Sequence, residues 1–236
     1  MNKVIHRADD RGKADHGWLK ARHSFSFADF QDMSKVHFGL LRVLNDDSIA
    51  PGMGFGTHPH DNMEIVTIPL SGGVKHRDSM GNEGVVSAGE VQVMSAGTGI
   101  RHSEYNASNK EALNLFQIWV FPKKRNIAPS YGQKAFPVEG REGKFQLLVA
   151  PDKADGALSL NQDVWFSLGK FKAGEKVDYA THRKENGIYM MVVNGEVEVA
   201  GETLKDRDAI GISDSAQNQI TIKRDAELLV IDVPMN

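Results

Sequence analysis

The sequence predicts an all-β protein whose antiparallel strands form a sandwich or small barrel, and it predicts this arrangement twice along the chain. Short apolar segments are separated by turns that contain Gly, Asn and Asp, and no long segment has a helical period. Frequent turns between short strands are typical of sandwiches and small barrels. A second series of strands begins near Phe145 and resembles the first in its spacing.

The first series of strands occupies the amino-terminal half of the chain. The motif Ser24-Phe25-Ser26-Phe27 alternates polar and aromatic residues, as a half-buried strand does. Residues 38–44 predict another strand, and Asn45-Asp46-Asp47 predicts the turn that ends it. The strands predicted after this turn are 63–70, 74–77, 85–86, 90–94 and 113–121.

A connector is predicted at residues 123–143, because this segment is rich in Pro, Lys and Gly and has room for one short helical turn. The first domain is therefore expected to span residues 1–122 and the second domain residues 144–236. The strands predicted in the second domain are 145–150, 164–171, 176–180, 188–193, 196–199, 208–212, 219–223 and 228–233.

An internal duplication explains the second series of strands. Gly52 is followed eight residues later by His60, and Gly174 is followed eight residues later by His182. The residues found where a further ligand pair should recur are Asn218, Gln219 and Thr221. Because one histidine cannot hold a metal tightly, the second domain is expected to be a structural partner without a metal site.

Two short clusters carry the strongest chemical signal of the first domain, and they are His58-Pro59-His60 and His102-Ser103-Glu104. Residues i and i+2 of a strand point to the same face, so each cluster can present two ligands side by side. Two such pairs on facing strands can enclose one ion. Imidazole and carboxylate ligands suit Fe, Mn, Co, Ni, Cu or Zn better than Ca or Mg.

A second carboxylate, Glu64, competes with Glu104 as the oxygen ligand. Strand alternation also places Glu64 on the face of His58 and His60, so the residues alone leave both carboxylates open. A purely structural metal is a further alternative, since four protein ligands could fill a tetrahedral site.

The spacing around these clusters resembles the two motifs of the cupin superfamily. Gly52 precedes His58 by six residues, Glu64 and Gly72 follow in the same block, and a second block covers residues 89–106. The segments that together resemble the pirin family are Gly54-Phe55-Gly56-Thr57-His58-Pro59-His60, Gly97-Thr98-Gly99-Ile100-Arg101-His102-Ser103-Glu104 and His23-Ser24-Phe25-Ser26-Phe27. This resemblance covers almost the whole chain.

The resemblance to pirins implies a bicupin, which consists of two tandem cupin domains of the antiparallel β-barrel or jelly-roll type. It implies that the metal ligands are His58, His60, His102 and Glu104, with Glu64 as a neighbour that orients an imidazole. The implied cofactor is one divalent transition metal per chain, with Fe(II) ahead of Mn, Co, Ni, Cu or Zn.

The same resemblance implies quercetin 2,3-dioxygenase activity, in which a flavonol is opened with dioxygen. The expected substrate is a small planar aromatic molecule, and Glu104 is the expected catalytic residue, taking the proton of the 3-hydroxyl. A different class of function is a regulatory protein, which would bind a protein partner according to the redox state of its metal and without turnover. A third alternative is an isomerase or decarboxylase that uses the metal only as a Lewis acid.

Composition excludes several other functions. The absence of Cys excludes disulfides, thiolate ligands and cysteine nucleophiles. A net charge of -3 gives no general attraction to nucleic acid or to anionic lipid. No apolar segment could serve as a signal peptide or span a membrane, so a cytoplasmic protein is expected. A monomer is also expected, because two fused domains can replace the dimer contacts of single cupins.

The remaining histidines lack a partner at ligand spacing, so we interpret each of them as a structural or surface residue. They are His6, His16, His23, His37, His76 and His182. Three apolar residues near the clusters are interpreted as core rather than as pocket walls. They are Phe55, Met63 and Ile65.

Overall fold

The protein is built almost entirely from β-strands, which confirms the predicted fold class. The computed structural model describes residues 1–153 and 156–236, and within these ranges it contains twenty strands and two short 3-10 helices. In the same ranges, no helix has the length and apolarity required to cross a membrane.

The elements fall into two groups along the chain. The strands before residue 140 are β1 Asn2–His6, β2 Gly12–Asp15, β3 Leu19–His23, β4 Leu41–Ile49, β5 Gly54–His60, β6 Glu64–Ser71, β7 Gly73–Asp78, β8 Glu83–Ser87, β9 Glu90–Ser95, β10 Ile100–Asn106, β11 Leu113–Val120 and β12 Ser130–Ala135. The later strands are β13 Phe145–Ala150, β14 Leu158–Ser159, β15 Trp165–Phe171, β16 Lys176–Ala180, β17 Asn186–Val199, β18 Glu202–Lys205, β19 Ala209–Ser213 and β20 Gln217–Pro234. The 3-10 helices are Ala8–Asp10 and Val138–Arg141.

Two antiparallel sheets form the first domain. The larger sheet has the strand order β12-β9-β6-β11-β4-β3-β2, and the smaller has the order β5-β10-β7-β8. Inward-facing residues of the larger sheet, such as Leu115, pack against inward-facing residues of the smaller one, such as Val74. Burial alternates along β10, as expected for a strand with one face towards the interior.

β4 is longer than the sequence predicted. The predicted turn at Asn45-Asp46-Asp47 is wrong, because these residues continue β4 and pair with β3 on one side and with β11 on the other. Hydrogen bonding to two neighbouring strands outweighs the turn preference of Asn and Asp. Asn45 and Asp47 are consequently buried polar residues inside a central strand.

The strand predicted at residues 24–27 is also wrong, because β3 ends before it and the chain enters a loop. The Ser26 hydroxyl donates to the Asp32 carbonyl and accepts from the Asp32 amide, both at 2.8 Å. Phe27 and Phe30 exchange two backbone hydrogen bonds of 2.9 Å. The alternation of Ser and Phe therefore lies in a loop that folds back on itself and not in a strand.

A single sheet of nine strands forms the second domain within the described ranges. Its order is β1-β19-β17-β20-β15-β13-β14, with β16 paired to β20 and β18 paired to β17. β17 and β20 are 14 and 18 residues long, and each replaces two shorter predicted strands. Register shifts between Val192 and Val197 bend β17, so that one strand serves both parts of the curved sheet.

Two strands cross the predicted division of the chain. β1 pairs with β19 in the sheet of the second domain. β12 lies in the predicted connector and pairs with β9 in the first domain, and a 3-10 helix supplies the short helical turn there. The domain limits themselves stay a prediction, but β1 pairs in the sheet of the second domain and β12 pairs in a sheet of the first.

One apolar core joins the two domains. It contains Phe25, Leu44 and Phe116 from the first domain and Phe166 and Leu229 from the second. Each fully buried side chain of this type stabilises the folded state by about 1.5–3 kcal/mol. The two domains therefore share much of their stability.

Candidate metal centre

Three imidazoles converge in the interior of the first domain. His58 and His60 come from β5 and His102 comes from β10, and their ring centroids lie 4.4 to 4.9 Å apart. One ring nitrogen of each lies within 4.8 Å of the others. This spacing allows one transition-metal ion to contact all three residues.

Pairing between β5 and β10 creates this convergence. His102 lies opposite His58, and Ile100 lies opposite His60. β5 is the edge strand of the smaller sheet, a position where Pro59 is tolerated because only one side of the strand is hydrogen-bonded. His58 and His60 flank Pro59 and therefore share the opposite face of the strand.

The ring nitrogens are available for an ion. His58 Nδ1 donates a hydrogen bond of 2.8 Å to the Gly56 carbonyl, so the proton of a neutral ring lies on Nδ1 and Nε2 keeps its lone pair. Neither nitrogen of the buried His102 has a hydrogen-bond partner among the described residues. Buried polar atoms without partners are rare in folded proteins. These residues therefore fit a bound metal.

Burial keeps two of these imidazoles neutral. It lowers the pKa of His60 to about 4, with a further contribution from His58. It lowers the pKa of His102 to about 3, again with help from the neighbouring imidazoles. Only a neutral imidazole binds a metal, so both side chains are in the binding form near neutral pH.

Glu104 lies beside the imidazoles in a second, overlapping group. A register shift between His102 and Glu104 places Glu104 opposite Phe55 on β5 and opposite His76 on β7. A carboxylate oxygen of Glu104 lies within 4.8 Å of ring nitrogens of His76 and His102. His102 thus belongs both to the triad with the β5 histidines and to the group with Glu104.

Neutral side chains hold the Glu104 carboxyl. Gln117 Nε2 donates to its Oε2 at 2.8 Å, and Thr67 Oγ1 lies 3.4 Å from its Oε1. Gln92 Nε2 donates to Thr67 Oγ1 at 3.3 Å. Burial raises the pKa of Glu104 to about 7, and the hydrogen bonds oppose this effect. The carboxyl can therefore accept or release a proton near neutral pH.

His76 also lies at the centre, which corrects its interpretation as an ordinary strand residue. Its buried ring is 5.5 Å from the ring of His102 and stacks on Tyr131 at 4.9 Å. Its Nε2 lies 3.2 Å from Asp78 Oδ2, and its Nδ1 has no hydrogen-bond partner in the described residues. The signal in the sequence was the His-x-Asp spacing on the strand that pairs with β10.

The competing carboxylate, Glu64, belongs to neither group of ligand atoms. Its Oε2 accepts hydrogen bonds from the Ser95 hydroxyl at 2.5 Å and from the Asn161 amide at 2.9 Å. Within the described ranges, these are its hydrogen-bond partners, and neither is an imidazole. Glu64 links the first domain to a loop of the second, which differs from the expected role of orienting an imidazole.

A cavity of about 190 Å³ reaches the centre, and its lining includes His58, His60 and Glu104. Trp119, which also lines it, meets the His60 ring edge-on at 5.0 Å. A larger cavity of about 600 Å³ lies between the two domains and contacts none of these ligands. A further cavity of about 250 Å³ borders His60 alone among these ligands, so the smaller cavity is the one lined by both imidazoles of β5 and by Glu104.

An outer cavity of about 420 Å³ adjoins the inner one, and both are lined by His23, Phe27 and Phe55. Phe55 therefore lines the pocket, and its interpretation as a core residue is wrong. Ile65 is confirmed as core, since it is buried in an apolar cluster against which Met63 packs.

The wall formed by β3, β4 and β11 carries polar residues that the sequence analysis missed. His23 pairs with Asn45 across β3 and β4, and Asn45 pairs with Gln117 across β4 and β11. His23 Nδ1 lies 2.8 Å from Asn45 Oδ1. His23 belongs to neither group of ligand atoms, and the pairing of β3 with β4 reveals its position in the pocket wall.

Asp47 is a buried carboxyl on the same wall. It lies between Ala21 on β3 and Leu115 on β11, and only 6% of it is exposed. Its Oδ1 has no hydrogen-bond partner among the described residues. Burial, followed by the charges of Asp46 and Glu104, raises the pKa of Asp47 to about 8. Because the sequence predicted a turn at this position, it did not predict that Asp47 faces the pocket.

Two other histidines have structural contacts, as predicted. His6 Nδ1 lies 2.8 Å from the Tyr189 hydroxyl in a buried contact. His182 Nδ1 lies 2.9 Å from Asp232 Oδ2, and its ring stacks on Trp165. The second domain thus uses its surviving histidine in a hydrogen bond with a buried carboxylate.

The fold and the histidine-rich centre together define a bicupin. A family model described as Pirin matches residues 4–120, and one described as Quercetinase C-terminal cupin domain matches residues 147–233. The chain belongs to the pirin family.

Known proteins resemble this chain over almost its full length. It is 48% identical over 226 residues to a Pirin-like protein of Caulobacter vibrioides, with 95% of this chain and 96% of the relative covered. It is 44% identical over 236 residues to a Quercetin 2,3-dioxygenase of Escherichia coli K12, with 98% of each covered. The crystal structure of the Escherichia coli pirin YhhW in complex with nickel(II) superimposes with a TM-score of 0.93 at 42% identity, covering 99% of both chains.

Proposed function

We propose that the protein is a metal-dependent dioxygenase that opens flavonols of the quercetin type. The observation that carries this proposal is the cavity that reaches His58, His60 and Glu104 and is otherwise lined largely by apolar and aromatic residues. A pocket of this composition suits a planar aromatic molecule with one polar edge. The relative named quercetin 2,3-dioxygenase supports the same substrate class.

His58, His60 and His102 would hold one divalent transition metal, with Glu104 as the adjacent carboxylate. When bound there, the metal supplies Lewis-acid activation of the substrate and redox chemistry with dioxygen. Fe(II) is our first choice of metal, and Ni(II) is a direct alternative because a related pirin was crystallised with nickel.

The shape of the pocket supports binding of an extended ring system. The inner cavity of about 190 Å³ is small for a three-ring flavonol, but it adjoins the outer cavity of about 420 Å³. Phe27 and Phe55 line both cavities and would contact the faces or edges of the rings. A flavonol would thus place its hydroxyl-ketone edge at the centre and extend outwards.

Glu104 would take the proton of the flavonol hydroxyl. Burial raises the pKa of Glu104 and a bound cation would lower it, so the carboxylate would be ready to accept a proton when the substrate arrives. Gln117 and Thr67 fix the carboxyl in position, so the proton acceptor is already oriented when the substrate arrives. The apolar walls exclude water from the deprotonated substrate.

Dioxygen consumption with quercetin tests the proposal. Metal-analysed protein should consume dioxygen in proportion to its bound metal, whereas the His102→Ala variant and metal-free protein should not. A fully loaded protein that binds metal but consumes no dioxygen would overturn the dioxygenase proposal. Reversible oxidation without turnover would instead favour a regulatory protein.

A further inference from the structure

Asp47 is a buried carboxyl whose Oδ1 has no hydrogen-bond partner among the described residues. We propose that Asp47 forms a second polar subsite in the pocket, which binds a hydroxyl group of the substrate away from the metal ligands. The ligand class is a polyhydroxylated aromatic molecule, with one hydroxyl for the metal centre and another for Asp47. This inference rests on the proposed function and specifies which flavonols the pocket selects.

The strand register explains why Asp47 lacks a partner. Its direct neighbours across the sheet are Ala21 and Leu115, and neither side chain can donate a hydrogen bond. Asp47 is one of the residues that line the inner cavity, and only 6% of its surface is exposed. Asp47 therefore borders the space that a ligand would occupy.

Other polar residues of this wall form hydrogen bonds with one another or with Glu104 and Thr67. Asn45 Oδ1 lies 2.8 Å from His23 Nδ1. Gln117 Nε2 donates to Glu104, and Gln117 Oε1 accepts a hydrogen bond of 2.9 Å from Thr67. Asp47 differs from them because it is a buried carboxyl whose Oδ1 has no hydrogen-bond partner among the described residues.

Two arginines approach the adjacent carboxylate, Asp46, whose side chain lies on the opposite face of β4. Arg11 Nη2 and Arg207 Nε lie 3.3 and 3.4 Å from Asp46 Oδ2. Strand alternation directs Asp47 away from both of them. A buried carboxyl without partners destabilises the folded state. A ligand hydroxyl in the pocket would relieve this cost.

Binding of two flavonols tests the subsite without requiring turnover. The dissociation constants of quercetin, which has additional hydroxyls on its outer rings, and of 3-hydroxyflavone, which lacks them, are measured anaerobically with metal-loaded protein. The variants are Asp47→Leu, Asp47→Asn and, as a matched control on the opposite face, Asp46→Asn. Metal content and thermal melting are recorded for each variant.

Wild-type protein should bind quercetin about tenfold or more tightly than 3-hydroxyflavone, which corresponds to one well-formed hydrogen bond. Asp47→Leu should remove this preference, Asp47→Asn should retain part of it, and Asp46→Asn should leave it unchanged. An unchanged preference in Asp47→Leu, or an equal loss for both ligands, would overturn the subsite. If the wild type binds neither flavonol, both proposals fail. A preference that depends on Asp47 without dioxygen uptake supports the subsite and contradicts only the dioxygenase.

Discussion

Buried carboxyls are concentrated around the pocket of the first domain. Asp47 and Glu104 both line the inner cavity, and burial raises the pKa of each, to about 8 and about 7. Neither carboxyl has an ion-pair partner among the described residues. Such residues destabilise a fold, and the ligand roles proposed above would account for their presence here.

The raised pKa of Asp47 predicts how stability depends on pH. The folded-state pKa of about 8 exceeds the ordinary value of 3.8, so the folded protein binds a proton more tightly than the unfolded chain does. The free energy of unfolding contributed by this group therefore falls as pH rises from 3.8 towards 8. In metal-free Asp47→Asn, the decrease between pH 5 and pH 8 should be smaller than in wild type by about 1 kcal/mol or more.

Urea unfolding at both pH values measures this difference. The control is Asp9→Asn, which changes an exposed carboxylate. Parallel pH dependences for Asp47→Asn and the wild type would contradict the assignment of a protonated, buried Asp47.

Glu104→Gln tests the proton-accepting role directly. The amide keeps the shape of the carboxyl but cannot take a proton, so kcat should fall by about a hundredfold or more. The variant should still bind metal, although more weakly, because the three histidines remain. Dioxygen uptake per bound metal measures the effect, and Glu64→Gln serves as the control because Glu64 lies outside both ligand groups. If the Glu104→Gln variant turned over as fast per bound metal as the wild type, Glu104 would not be the proton acceptor.

At the scale of single residues, the sequence predicted those features of the site that depend on positions close together in the chain. The spacing of His58 and His60 fixes a common face, and the structure brings both to His102. The positions of His76 and Asp47 depend on which strands pair and in which register. Those pairings join residues far apart in the chain, so Asp47 gave no local signal, and the His-x-Asp spacing of His76 becomes informative only when β7 is known to pair with β10.

At the scale of elements, the pairing of β5 with β10 is the feature that builds the metal centre. Gly54 allows the two strands to approach, since a Cβ atom there would overlap the backbone of Glu104 and Tyr105. Gly56, two residues further along β5, has no comparable restriction, because its nearest neighbour would be Tyr105 Oη at 3.7 Å. The two glycines therefore form a matched pair for mutagenesis.

Gly54→Ala should weaken metal binding although Gly54 is not a ligand. Overpacking of this type costs about 1–3 kcal/mol, and here it would displace the strand that carries Glu104. Gly56→Ala should leave metal affinity close to that of the wild type. Chelator competition measures affinity, and equal effects of the two substitutions would show that strand approach at Gly54 does not control the site.

The errors in predicted elements have a common physical origin. Asn45-Asp46-Asp47 has the composition of a turn, yet it lies in a central strand because its inward residues face the pocket. β12 has the composition of a connector, yet it pairs with β9 at the edge of the larger sheet. In both segments, tertiary contacts override local preference.

At the scale of the whole molecule, the shared apolar core predicts cooperative unfolding. Phe116 of the first domain and Phe166 of the second belong to the same cluster, so neither domain can lose its structure without exposing the other. We expect a single transition, with the same midpoint for both domains. Single-tryptophan variants that retain Trp119 or Trp165 report on the first and second domain separately. Two distinct midpoints would contradict this expectation.

The tandem domain architecture followed from the two series of strands and from the resemblance between them. The placement of β1 in the sheet of the second domain could not be predicted, because nothing in residues 2–6 distinguishes a strand of one sheet from a strand of the other. Only the vacant edge of β19, more than two hundred residues away, determines that choice.

This placement of β1 has a consequence for protein synthesis. Residues 2–6 are synthesised about two hundred residues before their partner, residues 209–213. β1 must therefore remain unpaired while the rest of the first domain emerges and folds. Closure of the second sheet by the amino terminus is a late event, and bulky fusions at that end would interfere with maturation rather than with the metal centre.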